Sequence, residues 1–211
     1  VWDSSDSVMT ALMEDHPESG RAWLALGQRL LAQGREPGAR RAFSYAVGIL
    51  NSEYKESTEI ASHLIAMGRP NSARFFLERA WRERPEWPTA PGLLASVELN
   101  AGRLTEAESA ARAAVLLSPS NASLHHLLAE SLSRMGRHQD AIESRVRALE
   151  GGLDGFRAWF LLAGDYAGVG DTVAALAAVD SASARAGSPQ EHDAVEQARL
   201  ALGSNPDSNE L

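Results

Sequence analysis

Residues 94–119 read LASVELNAGRLTEAESAARAAVLLSP, and the interpretation of this stretch decides the fold. Its Gly102 belongs to a column of five glycines, Gly34, Gly68, Gly102, Gly136 and Gly170, spaced 34 residues apart without a slip. Glycine makes up roughly 7–8% of an ordinary sequence, so five in register by chance has odds on the order of a few in a million. A fixed period of this size marks a helical array whose repeats stack, in place of one central core.

Other columns keep the same step. Ala39, Ala73, Ala107, Ala141 and Ala175 follow the glycines, and Ala46, Ala80, Ala114, Ala148 and Ala182 follow those. Before each glycine a large apolar residue (Leu26, Ile60, Leu94, Leu128, Leu162) is followed at once by a small one (Gly27, Ala61, Ala95, Ala129, Ala163). Large side chains filling a seam beside small ones that admit a close backbone are what two packed helices require. Within the opening stretch Leu104, Ala107, Ala111, Ala114 and Leu117 share one helical face. Gly102 there reads as a left-handed helix stop, Thr105 with Glu108 as a capping box, and Pro119 as the end of the following helix.

These columns resemble the tetratricopeptide repeat, W-x2-L-G-x2-Y then A-x3-F then P. The first unit supplies Trp23, Leu26, Gly27, Leu30, Ala39, Phe43 and Ala46, and the fifth supplies Trp159, Leu162, Ala163, Tyr166, Ala175 and Ala182. The resemblance implies an all-α, helix-turn-helix solenoid, coiled into a right-handed superhelix and closed by a C-terminal capping helix. Its units are 20–53, 54–87, 88–121, 122–155 and 156–189, with a capping helix at 190–203 and a flexible tail at 204–211. Residues 1–19 read as an N-terminal segment that carries the second helix of a partial repeat, over 5–16, whose first helix is missing. Such a half unit suggests a longer parent chain, a partner that supplies the missing surface, or a second copy that covers it as a homo-oligomer. Pro88, Pro91 and Gly92 predict that the first helix of the third unit begins near Ala90 and is short, which would widen the groove there.

Charge and composition narrow the function. A net charge of −8 argues against nucleic acid, because affinity for phosphates comes mainly from Lys and Arg. Arg79, Arg82 and Arg84 are interleaved with Glu78, Glu83 and Glu86 and read as a solvated mixed-charge face, with Arg stacking on Trp81 or Trp87 a local packing effect. No run of about 18 apolar residues is present to insert in a membrane. The absence of Cys removes disulfides and thiolate metal sites and fits either side of a bacterial membrane. Cytoplasmic and extracytoplasmic locations both remain open.

Catalytic constellations are weak. Adjacent residues on a helix point about 100° apart, so His125 and His126 are poorly placed to grip one metal. His125 shares a column with Trp23 and Trp159 and reads as a packing residue. Asp165, Glu130 and Glu98 fall in first helices, and nothing in the local sequence pairs them. No metal, cofactor or catalytic residue is assigned.

The resemblance places function on the concave surface of the first helices. The inward columns give Arg21, Leu24, Ala25, Gln28 and Leu31, then Lys55, Thr58, Glu59 and Ser62, then Thr89, Leu93, Ser96 and Asn100. They continue with Ser123, His126, Leu127, Glu130 and Arg134, and with Arg157, Phe160, Leu161 and Gly164. Neither the Lys/Asn/Arg carboxylate clamp nor the asparagine ladder of peptide-binding relatives is present, since Ala25, Glu59, Leu93, Leu127 and Leu161 hold the ladder column. The expected function is a non-catalytic interaction or assembly scaffold that binds a peptide or an apolar partner helix in its groove. Two other readings stand beside it. One is a self-assembling structural subunit. The other is the soluble tail of a multi-spanning O-mannosyltransferase-like glycosyltransferase, from the similarity of Trp2 to Met9, Leu12, His16-Pro17-Glu18-Ser19 and Arg21 to the junction between membrane spans and repeats.

Overall fold

The computed structural model describes residues 17–49 and 53–203, so the partial-repeat helix over 5–16, any oligomer contact through it, and the tail 204–211 lie outside the described residues. Within those limits there are eleven helices and no strand: α1 (Gly20–Ala32), α2 (Glu36–Ile49), α3 (Glu53–Ala66), α4 (Pro70–Glu83), α5 (Thr89–Asn100), α6 (Leu104–Leu117), α7 (Ala122–Arg134), α8 (His138–Glu150), α9 (Phe156–Gly168), α10 (Thr172–Ser183) and α11 (Pro189–Gly203). The chain forms two compact units, Val1–Val97 and Glu98–Leu211. In the first, α1 packs on α2 and α3 on α4; in the second, α7 packs on α8, α9 on α10, and α11 against α10 and α9.

The periodic glycines make the turns. Gly34, Gly68, Gly102, Gly136 and Gly170 have φ of 74°, 71°, 75°, 76° and 80°, the left-handed region that costs an L side chain about 1–2 kcal/mol. Each turn closes the same way. The Gly102 N–H donates to the Leu99 carbonyl at 3.1 Å and the Arg103 N–H to Glu98 at 2.9 Å, and the pair Gly34 to Leu31 and Arg35 to Leu30 repeats this at 2.9 and 2.8 Å. These bonds satisfy the carbonyls that a helix end leaves bare.

The next helix starts without the capping box that Thr105 and Glu108 suggest. α6 begins at Leu104, one residue after the turn, with Arg103 at its N-cap and no side-chain cap bond, so Thr105 already lies inside the first turn. Glu108 is used instead by Arg112 at 2.7 Å and Arg137 at 2.8 Å. A box does form at the start of α11, where Glu191 accepts from the Ser188 N–H at 3.0 Å and its own N–H donates to the Ser188 hydroxyl at 3.3 Å. α5 begins at Thr89, beside the expected Ala90, with Pro91 in the first turn where a helix needs no N–H; its 12 residues are one or two fewer than α1 to α4.

Packing follows the small-residue columns. The ten alanines that follow the glycines are all at most 1% exposed, and Ala61, Ala95 and Ala129 are fully covered. Gly27 does the same work in α1: a Cβ there would lie 2.3 Å from the ring of Phe43, which meets Phe76 edge-on at 5.8 Å. The column that begins at Phe43 continues through Leu77, Ala111 and Val179, but its fourth member is Arg145, fully buried. Its Nε donates to Asp165 Oδ2 at 2.7 Å, and Asp165, also fully buried, takes a second bond to its Oδ1 from His138 Nδ1 at 3.1 Å. Gly168 leaves room for that imidazole, since a Cβ would come within 2.5 Å of it.

Two stability measurements test this picture. Gly102→Ala is expected to lower the unfolding free energy by about 1 kcal/mol, and Gly102→Asn by less, because open space surrounds the position and only backbone strain is at stake. Arg145→Met, which strands the Asp165 carboxylate in the core, is expected to cost about 3–5 kcal/mol in urea unfolding, with most of the loss recovered in the double variant Arg145→Met/Asp165→Leu.

Candidate partner-binding surface

All twenty-two positions named for the groove lie on α1, α3, α5, α7 and α9, and all but Leu31 are at least partly exposed. Arg21, Gln28, Lys55, Glu59, Asn100, Arg134 and Arg157 are exposed, while Leu24, Leu93, Ser96, His126, Leu127, Glu130, Phe160 and Leu161 are half-buried. Leu31, counted inward from its column, is instead in the core at 3% exposure, because it faces the α1–α2 seam.

In the first unit α1 and α3 bring Leu24, Gln28 and Glu59 together. With Glu56, Ile60 and His63 they line a shallow cavity of about 60 Å³ floored by Phe43. Among its lining side chains, Glu56 Oε2 is buried without a hydrogen-bond partner. Thr58 and Ser62 turn their hydroxyls back to backbone carbonyls of their own helix, to Tyr54 at 2.9 Å and Thr58 at 2.8 Å, and so offer less to a ligand.

In the second unit α7 and α9 present Leu127, Phe160 and Leu161 beside a charged knot. Glu130 Oε2 lies 3.5 Å from His126 Nε2 and 3.5 Å from Arg157 Nη2. The hydrogen bond from His126, aided by the charges of Arg157 and the buried Arg145 and opposed by partial burial, holds the Glu130 carboxyl below the ordinary glutamate range. Phe160 stacks on Phe156 at 5.3 Å, which fixes its ring at the surface. Arg134 is not free to serve a ligand in the same way, for its Nη1 donates to the Leu99 carbonyl at 2.7 Å.

His125 and His126 diverge, as their helical neighbourhood requires. His125 Nε2 donates to the Pro119 carbonyl at 2.8 Å, repeating the bond from Trp23 Nε1 to Pro17 at 2.9 Å three repeats earlier. Trp159, one repeat after His125, donates instead to Asp154 at 2.6 Å, and Arg185 lies 5.1 Å over its ring while pairing with the same carboxylate. Trp87 meets Tyr54 edge-on at 4.8 Å. Among the described residues no group of three or more His, Asp or Glu is placed to hold a metal ion, and no helix is long and apolar enough to cross a membrane.

The buried Arg145–Asp165 pair escaped the sequence reading. Its partners are 20 residues apart on different helices, so no local motif announces it. The available signal was a charged residue in the apolar column of Phe43.

Two sequence models of the tetratricopeptide repeat match the chain, over residues 3–53 and 64–130, together more than half of its length. No protein of curated function matches it in sequence. Among solved structures, the fold is similar to that of YrrB, described as a TPR protein with an unusual peptide-binding site (16% identical, covering 91% of this chain and 97% of that one, TM-score 0.69). It is similar also to MamA (17% identical, 90% and 97% covered, TM-score 0.64) and to a thermophilic TPR protein of Thermus thermophilus (23% identical, 87% and 98% covered, TM-score 0.53). With helix pairs reversed at every thirty-fourth residue by a left-handed glycine, and with both sequence and fold matching that repeat, the chain belongs to the tetratricopeptide repeat family.

Proposed function

We propose that this chain is a non-catalytic interaction module whose first-helix face holds a segment of a partner protein. The observation that carries the reading is the surface of α7 and α9, where Leu127, Phe160 and Leu161 stay half-exposed beside the Glu130 knot although the alanine columns behind them are sealed. Apolar side chains with fixed neighbours and a few charges at their edge suit an amphipathic helix or an extended segment with spaced apolar residues. YrrB is described as having an unusual peptide-binding site, which supports the reading by likeness of fold alone. A partner that enters here would bury the leucines and meet Arg157, which is 74% exposed, at the rim.

A pull-down with the intact chain against the variant Leu127→Glu/Leu161→Glu tests this. Partners are expected to be lost from the variant while its helical content is kept; recovery of the same partners by both proteins contradicts the groove. The same surface has a pH signature. Because the folded Glu130 carboxyl is held below its ordinary range, its contribution is complete above that range and disappears as pH falls through the folded value. Glu130→Gln is therefore expected to lower stability by about 0.5–1 kcal/mol near neutral pH, with the difference from the parent closing on acidification, as read by thermal melts over a pH series.

A further inference from the structure

A second surface lies on the other helices of the first unit. Between α2 and α4 a groove of about 540 Å³ is lined by Arg40, Arg41, Tyr45, Ile49 and Phe75. Tyr45 is 60% and Phe75 41% exposed, unusual for rings of this size away from an interface. Both are held in place from behind. Tyr45 stacks on Trp23 at 4.8 Å, and Phe75 meets the buried Phe76 edge-on at 5.1 Å, so a ligand would pay little to order them. Arg40 lies 6.0 Å over the Phe75 ring, and neither Arg40 nor Arg41 has a carboxylate partner among the described residues. The groove is thus rigid, aromatic and cationic, and among the described residues no acidic apolar segment covers it.

The chain carries such a surface itself. Residues 17–97 contain 11 Lys and Arg against 8 Asp and Glu, whereas residues 98–211 contain 9 against 16. On α11, Val195 is buried against the second unit while Asp193, Glu196 and Leu200 are exposed, Leu200 by 73%. Steps of three and four residues place these on one stripe of the helix, two carboxylates followed by a leucine, with Glu196 Oε1 also accepting from Arg199 Nη1 at 2.8 Å and its other oxygen left for a partner. We propose that the Asp193–Glu196–Leu200 stripe of one copy docks in the Arg40–Arg41–Tyr45–Phe75 groove of a second copy. The carboxylates meet the unpaired guanidinium groups and the leucine lies on the exposed rings. The two surfaces differ, so each copy keeps one of each free and association proceeds head to tail, closing into a ring or growing into a filament. This contact uses second helices and α11, so it stands or falls separately from the first-helix groove.

Sedimentation velocity of the full chain over a concentration series tests the contact. At low ionic strength the mean mass is expected to rise with concentration, and to fall back toward the monomer severalfold sooner in high salt, because exposed ion pairs are screened. Arg40→Glu/Arg41→Glu and, separately, Asp193→Arg/Glu196→Arg are each expected to remain monomeric with the parent's melting temperature. Mixing the two variants is expected to restore association, since each supplies the surface that the other has lost. A parent chain that stays monomeric throughout, a variant that associates as the parent does, or a mixture no heavier than its components would overturn the proposal.

Discussion

Everything else in this protein depends on reversing the chain within two residues at the end of a helix. A helix end leaves carbonyls without donors, and a tight reversal must supply those donors from the residues of the turn itself. A left-handed residue does so by aiming its own N–H and the next one back at the last turn, as Gly102 and Arg103 do at Leu99 and Glu98. Only glycine enters that conformation freely, and for this reason the column holds no other residue type at the five positions. Once the reversal is fixed, the paired helices lie close enough that part of their contact must be alanine or glycine, with large side chains such as Leu31, Phe43 and Leu77 buried beside them.

That arrangement separates two kinds of surface. First helices keep Leu127, Phe160 and Leu161 partly exposed next to Glu130, His126 and Arg157, whereas second helices of the first unit expose Tyr45 and Phe75 beside unpaired arginines. The histidines that stand adjacent in sequence are committed to separate bonds, His125 to the Pro119 carbonyl and His126 to Glu130. The core also buries Ser57, Glu98 and Ser131, and where Arg145 stands in an otherwise apolar column it requires Asp165 beside it. Such a pair is poor evidence for added stability, but a strong constraint on the side chains around it, as the space reserved by Gly168 for His138 shows.

The helix pairs were legible in the sequence because their determinant is local and repeats. A residue that must have positive φ, and a side chain that must be small, leave marks that need no knowledge of the fold. The role of His125 was legible for the same reason, through its column. What was hidden depends on geometry between helices or on the details of a turn. Thr105 and Glu108 fit the capping pattern, yet the left-handed Gly102 starts α6 too early for Thr105 to cap it. The pattern was genuine at Ser188 and Glu191, where no such turn precedes it. Asp165 was visible as a carboxylate without a partner, and its partner could be found only when α8 and α9 were seen to pack. Exposure of the groove leucines belongs to this second class, because a column says which way a side chain points and not how far a neighbour covers it.

The claim that matters most for function is that a partner is held on the first helices. Amide hydrogen exchange of the chain with and without a captured partner tests it most directly, because it reads protection along the backbone without altering any side chain. Added protection is expected to concentrate in α7 and α9, around Leu127 and Leu161. Protection confined to α8 and α10, with α7 and α9 unchanged, would contradict it.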